Sequence, residues 1–410
     1  MPFKPLRIFL HDFPGHPPQV HLSRALARRG HHVLHGFSTM VQSPKGNLLR
    51  QPGDPATFDI IDIGIGETFQ KHSYVKRQFQ EIKYGREMVK AAQAFAPDLV
   101  IGSNTPLVPL NQLRRMAGKR RVPFVFWMMD VYGLAVRDGL AKKSRLAGSL
   151  IGGAYIQLER YICRHSDEIV VIAESFQDLL ATWGVRPDRL DCLPLWAPIE
   201  DIPVRSKQNR WSREQGLEST TNIIYAGTLG LKHNPQALVD LAERCKSRPT
   251  VRVVVISEGL GANFLKEQKD RLQLDNLLLL PFQPFRDLPD IFGSAAVLIA
   301  LLEAEAGTFS VPGKVLSHLC SGRPQVALLP PENRATRVIE QSGGGFAVPC
   351  GQVDRFVSEV LRLVDDPALA GESGRRARSY AEREFDIDHL AETFEGMIVK
   401  PFKNSSHFTS

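Results

Sequence analysis

The stretch Thr221 to Leu238, TNIIYAGTLGLKHNPQAL, constrains the fold more than any other part of the chain. Asn222 to Ala226 is a short β-branched and aromatic run, Gly227 and Gly230 bracket a tight loop, and Pro235 opens an amphipathic helix with Asn234 placed as its cap. A strand, a glycine loop and a helix N-terminus in that order make a βα unit, the building block of a parallel sheet. Such a loop aims backbone N–H groups and the positive end of a helix dipole at one point, and Lys232 adds a full charge there. Phosphate is the natural occupant. An ordinary β-α turn, with glycines that only relieve backbone strain, is the alternative.

The same alternation runs through the whole sequence. Strands are expected at Arg7 to Leu10, His32 to Phe37, Phe58 to Ile63, Leu99 to Gly102, Phe124 to Met129 and Glu168 to Ala173. Helical patterns separate most of them, notably Phe79 to Phe95, Leu107 to Met116 and Ile151 to His165. Leu190 to Ser219 carries Pro194, Pro198 and Pro203 with little periodicity and reads as a linker. Strands resume at Asn222, Val251 to Ile256, Leu277 to Pro281, Ala296 to Leu302, Gln325 to Leu329 and Phe346 to Val348. Near-continuous apolar strands between helices predict an α/β chain with sheets covered on both faces. The opening RIFLHDFPGHPPQVHLSRAL echoes the Thr221 stretch, so two doubly wound, Rossmann-like domains facing a central cleft are expected. Their bounds are residues 1–200 and 201–380, with a C-terminal helix and tail, 381–410, packing back on the first domain.

At 410 residues the chain is too long for a single compact core. Five cysteines, scattered and without a Cys-x-x-Cys pair, indicate neither a disulfide framework nor a zinc site, and point to a reduced, cytoplasmic protein. The N-terminus runs directly into a strand and no apolar run is long enough to span a bilayer, so neither secretion nor a transmembrane anchor is expected. The net charge of +7 is unevenly spread: residues 1–200 hold 26 Lys and Arg against 18 Asp and Glu, and residues 201–410 hold 25 against 26. The excess gathers at Arg114, Arg115, Lys119, Arg120 and Arg121, and again at Arg137, Lys142, Lys143 and Arg145, which lead into Leu146, Leu150 and Ile151. A basic, partly apolar patch suits an anionic membrane surface or an anionic acceptor; a solvated face without a partner is the plainer reading. No nucleic-acid module is visible and aromatics do not interleave with the basic residues, so nucleic acid is not an expected partner.

The succession YAGTLGLKHNP, LPFQPFRDLPDIFGSAAVLIALL, FSVPGKVLSHLCSGRPQVA and ENRATRVIEQSGGGFAVPCG resembles the second domain of the retaining glycosyltransferases of family 4. The likeness is to bacterial polysaccharide-assembly members with a Val-Pro-Ser-Lys element, the colanic acid, O-antigen and capsule enzymes. YICRHSDEIVVI, Gly184-Val185 and Pro194-Leu195-Trp196 match the interdomain region of that subgroup. The resemblance implies a GT-B fold and a retaining transfer from a nucleoside-diphosphate sugar, UDP-sugars foremost, to a glycan or lipid-linked acceptor. The donor belongs mainly to the second domain and the acceptor to the first.

Glycosyl transfer expels a diphosphate, so the site must stabilise charge developing on the leaving group. Lys232, Lys314 and the helix N-termini after Gly230 and Pro312 supply that charge, and neither a metal nor another cofactor is expected. Gly227, Thr228 and Gly230 form one donor loop; Thr308, Phe309, Ser310, Val311, Pro312 and Gly313 form the second, although Lys314 also reads as an exposed residue of a first helical turn. The family's Glu-x7-Glu motif is not kept: Ser317 and Phe309 stand at its two positions, and Gly313 replaces the usual Ser. Glu303 and Glu305 are candidate replacements or plain surface residues. In the first domain Gly15 carries over from a Gly-Gly loop expected near the donor phosphates, while Asp130, ending the apolar strand FVFWMMD, either orients substrate hydroxyls or caps the next helix. Two rivals stand beside this reading: a non-catalytic GT-B binding subunit, and a GT-B-shaped nucleotide-sugar epimerase, which needs paired acid and base carboxylates.

Overall fold

The computed structural model describes residues 4–41, 45–69, 74–141, 144–230, 233–303 and 311–403. The chain divides into two compact units, one made of Met1–Pro194 together with Ile387–Ser410, the other of Leu195–Asp386.

The first unit carries β1 (Arg7–Asp12), β2 (His32–Ser38), β3 (Phe58–Ile63), β4 (Leu99–Ser103), β5 (Phe124–Met128), β6 (Glu168–Val171) and β7 (Leu190–Cys192), all parallel, in the order β3-β2-β1-β4-β5-β6-β7. The second carries β8 (Thr221–Ala226), β9 (Val251–Ile256), β10 (Leu277–Leu280), β11 (Val297–Leu301), β12 (Gln325–Leu329) and β13 (Gly345–Pro349), also parallel, ordered β10-β9-β8-β11-β12-β13. In both sheets the order reverses beside the first strand, which is the doubly wound arrangement that gathers ligand loops at the carboxyl ends of the strands. The central strands β4, β5, β11 and β12 are buried along their whole length, which is why they read as unbroken apolar runs.

Two expectations need correction. The stretch after Leu190 is not all linker: β7 pairs with β6 as a three-residue edge strand, and Arg210–Glu214 is a helix closed by a capping box between Asn209 and Ser212. An edge strand makes half the ladder bonds of a central one and leaves little sequence pattern. Asn234 does not cap its helix through its side chain. It adopts φ +46°, its carbonyl accepts from the Ala237 amide, and the helix runs Gln236–Arg244.

The C-terminal helix Ile387–Ile398 belongs to the first unit. Its Phe394, fully buried, packs on Trp127 of β5 with ring centroids 5.0 Å apart. Its Glu395, almost wholly buried, accepts from Arg29 Nε at 2.6 Å and from His31 Nε2 at 3.1 Å. The Leu6 amide donates to His31 Nδ1, which places the ring proton on Nε2 toward Glu395. Lys400 adds an ion pair to Asp191 at 2.5 Å. Among the described residues no helix is long and apolar enough to cross a membrane. Phe394→Ala is expected to destabilise the first unit by about 3–5 kcal/mol; urea unfolding followed by tryptophan fluorescence measures it.

Candidate functional site

In the second unit, β8 delivers Tyr225 to the carboxyl edge of the sheet, and the chain leaves through Gly227, whose φ of +132° is a glycine conformation. The helix Gly313–Cys320 brings Lys314 to the same spot from the neighbouring strand β11. Lys314 Nζ donates to Tyr225 Oη at 2.7 Å and lies 3.9 Å from the centroid of that ring. Tyr225 Oη in turn donates to the Thr228 carbonyl, also at 2.7 Å. A side chain at Gly227 would bring its first carbon to 3.2 Å from Lys314 Nζ, so the loop rests directly against the ammonium. Burial lowers the Lys314 pKa to about 7, and among the described residues no carboxylate pairs with it. Of its three donors, one is committed to Tyr225.

The loop amides divide. Gly227 N donates to the Ile256 carbonyl at 3.0 Å and Gly230 N to His233 Nδ1 at 3.0 Å, while the amides of Thr228 and Leu229 have no partner among the described residues. Thr228 is exposed. Across from it Pro312 caps the helix Gly313–Cys320, Val311 packs on the small cluster around Ala300, Leu302 and Val315, and Gly313 has open space where a side chain would stand. Ser317 Oγ bonds back to the Gly313 carbonyl at 3.3 Å, which leaves its lone pairs available. Glu303 is half-buried just past β11. Lys232, Glu305, Thr308, Phe309 and Ser310 lie outside the described residues.

The first unit offers a different chemistry. Gly15, at φ +74°, closes a turn in which its amide donates to the Asp12 carbonyl at 3.1 Å and its carbonyl accepts from Gly46 at 2.8 Å. Both polar groups of Gly15 are therefore engaged in shaping the loop. Asp12 is completely buried and its pKa is raised, chiefly by burial; the His16 ring, the Asn104 amide at 2.9 Å and the backbone amides of His16 and Gly15 oppose that. Beneath it His11 bonds Thr105 at 2.6 Å and Tyr84 at 2.7 Å, and burial, with His35 adding to it, drops its pKa to about 3. His11 is thus a neutral framework residue.

Asp130 is exposed just beyond β5. The amides that open the helix Tyr132–Ala141 go to Glu159, whose two oxygens accept from Tyr132 at 2.9 Å and from Gly133 at 2.8 Å. Burial raises the Glu159 pKa to about 8; the Gly133 bond opposes the shift and the Asp130 charge adds to it. Sequence reading missed Glu159 because it sits within an ordinary amphipathic helix, and its partners come 26 and 27 residues earlier in the chain. No group of three metal-ligating side chains occurs among the described residues.

Holding Lys314 in this position is a cost to the fold. The unfolded chain keeps the lysine proton up to about 10.5 and the folded chain releases it near 7, so this group's contribution to stability rises with pH between those values. Lys314→Met is therefore expected to stabilise the protein more at pH 6 than at pH 9.5, as denaturant titrations at the two pH values will measure.

Two glycosyltransferase domain models match this architecture in register with its units. A glycosyl transferase 4-like domain matches residues 19–196 and a glycosyl transferases group 1 domain matches residues 220–366, together most of the chain. The chain is 22% identical over 312 residues to the putative colanic acid biosynthesis glycosyl transferase WcaI of Escherichia coli (strain K12), covering 74% of each. Its fold is similar to that of the sucrose-phosphate synthase from Thermosynechococcus elongatus, with a TM-score of 0.75 at 13% identity over 97% of this chain and all of the other. It is also similar to HepE of Anabaena, solved in complex with UDP and glucose, with a TM-score of 0.72 at 14% identity over 96% of this chain and 99% of the other. With both halves matched by glycosyltransferase models and two doubly wound parallel sheets in sequence, the chain belongs to the GT-B glycosyltransferases.

Proposed function

We propose that this protein transfers a sugar, with retention of configuration and without a metal, from a nucleoside-diphosphate sugar to a glycan or lipid-linked acceptor in polysaccharide assembly. The observation that carries the donor assignment is Lys314, desolvated against Tyr225 and pressed on the Gly227 loop. A cation with no carboxylate partner among the described residues, beside the loop amides of Thr228 and Leu229 that have no partner there either, at a strand's carboxyl end, is matched to a diphosphate. HepE, solved with UDP and with UDP-glucose, supports UDP as the nucleotide, and the likeness to WcaI supports a polysaccharide pathway. The site is chemically simple. The bond from the anomeric carbon to the donor phosphate oxygen breaks with its electron pair going to that oxygen, and the acceptor oxygen bonds the same carbon from the same face. The acceptor proton passes to the departing phosphate. Lys232 and Lys314 hold the diphosphate as its charge grows; Gly227, Thr228, Gly230, Val311, Pro312, Gly313 and Ser317, with Thr308, Phe309, Ser310 and Glu305, form the donor cradle. Gly15 and Asp130 are the first unit's own candidates for substrate contact.

An epimerase needs a free acid and base. Glu159, the carboxyl neighbouring Asp130, has both oxygens taken by amides and offers neither. A binding subunit without catalysis would hold the donor without turning it over, so turnover, and not the position of Lys314, separates it from an enzyme.

UDP at a hundred times its dissociation constant is expected to stabilise the chain by about 2.7 kcal/mol. Lys232→Ala and Lys314→Ala are each expected to lower turnover at saturating donor about a hundred- to a thousandfold, with smaller losses in donor affinity. Thermal protection by a panel of UDP-, GDP- and ADP-sugars, followed by turnover of the two variants, tests this. Protection by none of them overturns the donor site, and wild-type turnover in both variants overturns the role of the lysines.

The exposed Leu146, Leu150 and Ile151, beside Arg137 and Arg145, support docking on an anionic membrane; Lys142 and Lys143 of that patch lie outside the described residues. Each basic residue near the surface adds about 1 kcal/mol. Flotation at low salt should retain the protein on anionic vesicles and not on neutral ones, and Leu146→Ser with Leu150→Ser should reduce the retention.

A further inference from the structure

The helices Tyr74–Phe95 and Leu107–Arg120 pack against each other on the first unit's sheet. Between their second halves lies a cavity of about 360 Å³, within the size range of small-ligand sites. Each helix runs from the carboxyl end of one strand to the amino end of the next, so the cavity lies toward the sheet's amino edge. Gly15 and Asp130 are at the opposite edge.

Four cations line this cavity: Arg86, Arg115, Lys119 and Arg120. No carboxylate lines it. Most other cations on the same two helices have partners, Lys76 being the exception among the described residues. Arg77 pairs with Glu81, Lys83 with Glu67 and Lys90 with Glu87, while Arg114, part of the same basic run, is buried on Asn111 and over the Tyr161 ring. The four at the cavity have no ion-pair or hydrogen-bond partner among the described residues. Complementing the helix dipole accounts for Lys119 and Arg120 in a last turn, but not for Arg86 and Arg115. Four exposed like charges without a protein partner around one hollow raise its potential, most strongly at low salt, and attract an anion.

The floor adds a second requirement. Gly85 faces Gln112 so closely that a side chain there would place its first carbon 1.6 Å from Gln112 Oε1. That oxygen is buried and has no hydrogen-bond partner, so it lacks a donor. Cations around the wall and an acceptor in the floor complement a ligand with a phosphate and a hydroxyl.

We propose that this cavity binds a phosphate ester bearing a free hydroxyl, its phosphate held by Arg86, Arg115, Lys119 and Arg120 and its hydroxyl donating to Gln112 Oε1. A soluble polyol phosphate and a phospholipid headgroup share that chemistry. Equilibrium dialysis of the full chain with labelled glycerol 3-phosphate at low salt, in a Lys232→Ala, Lys314→Ala background that weakens anion binding at the proposed donor site, measures the soluble form. One saturable equivalent is expected, weakened about tenfold for each guanidinium removed in Arg86→Gln and Arg115→Gln, and unaffected by Lys76→Gln on the same helix. Inorganic phosphate should bind more weakly, and Gln112→Met should abolish that difference. Flotation with phosphatidylglycerol vesicles, using a chain that also carries Leu146→Ser and Leu150→Ser, measures the lipid form; retention that depends on Arg86 and Arg115 assigns the headgroup as the source. If the Arg86→Gln, Arg115→Gln pair unfolds the chain, Lys119→Gln with Arg120→Gln replaces it. Binding of neither probe, or binding of both that ignores these substitutions, overturns the site.

Discussion

Parallel strand pairing is the constraint from which the rest of this molecule follows. Two parallel neighbours cannot be joined by a tight turn, so every return in both sheets goes through a crossover that covers a face, most often a helix, and every departure happens at the same edge. Tyr225 and the Gly227 loop leave β8 at that edge, and Lys314 enters just after β11, the next strand over. The two groups are 89 residues apart in sequence and 2.7 Å apart in space because β8 and β11 are hydrogen-bonded neighbours. The position of the candidate site is therefore a property of strand order before it is a property of any side chain.

The electrostatics at that edge work against the fold. An ammonium packed on an aromatic face gains some attraction from the ring but loses most of its hydration, and the loss dominates, as its lowered pKa records. A diphosphate reverses the balance by giving the cation a partner where water is scarce. Glu159 differs. Its carboxyl is fully buried, and the bonds it accepts from two helix-opening amides make it an anchor for the chain after β5.

The legible part of this architecture was the part with period and punctuation. Val251–Ile256 and Gln325–Leu329 were readable to the residue because they are apolar runs flanked by Pro, Arg or Gly. Lys314 was readable from the Val-Pro-Gly-Lys element. Its partner Tyr225 was not, because an aromatic residue in a strand is ordinarily core and only the tertiary contact shows that its hydroxyl links a lysine to a loop carbonyl. The basic run from Arg114 to Arg121 looked like one patch in sequence; helical geometry splits it, turning Arg114 inward and Arg115, Lys119 and Arg120 toward one groove. Gln112 and Gly85 carry no local signal, since their relation exists only where two helices cross.

The return of the last helix to the first unit also orders events during synthesis. Residues 1–194 emerge first, but the hollow that Phe394 fills against Trp127, and the Arg29 and His31 groups that await Glu395, stay uncovered until the helix Ile387–Ile398 has been made. Leu195–Asp386 is continuous and complete in its contacts before that helix leaves the ribosome. The second unit is thus the first able to close its core, and an early stop that spares it entirely still leaves the first unit with an open seam over β5.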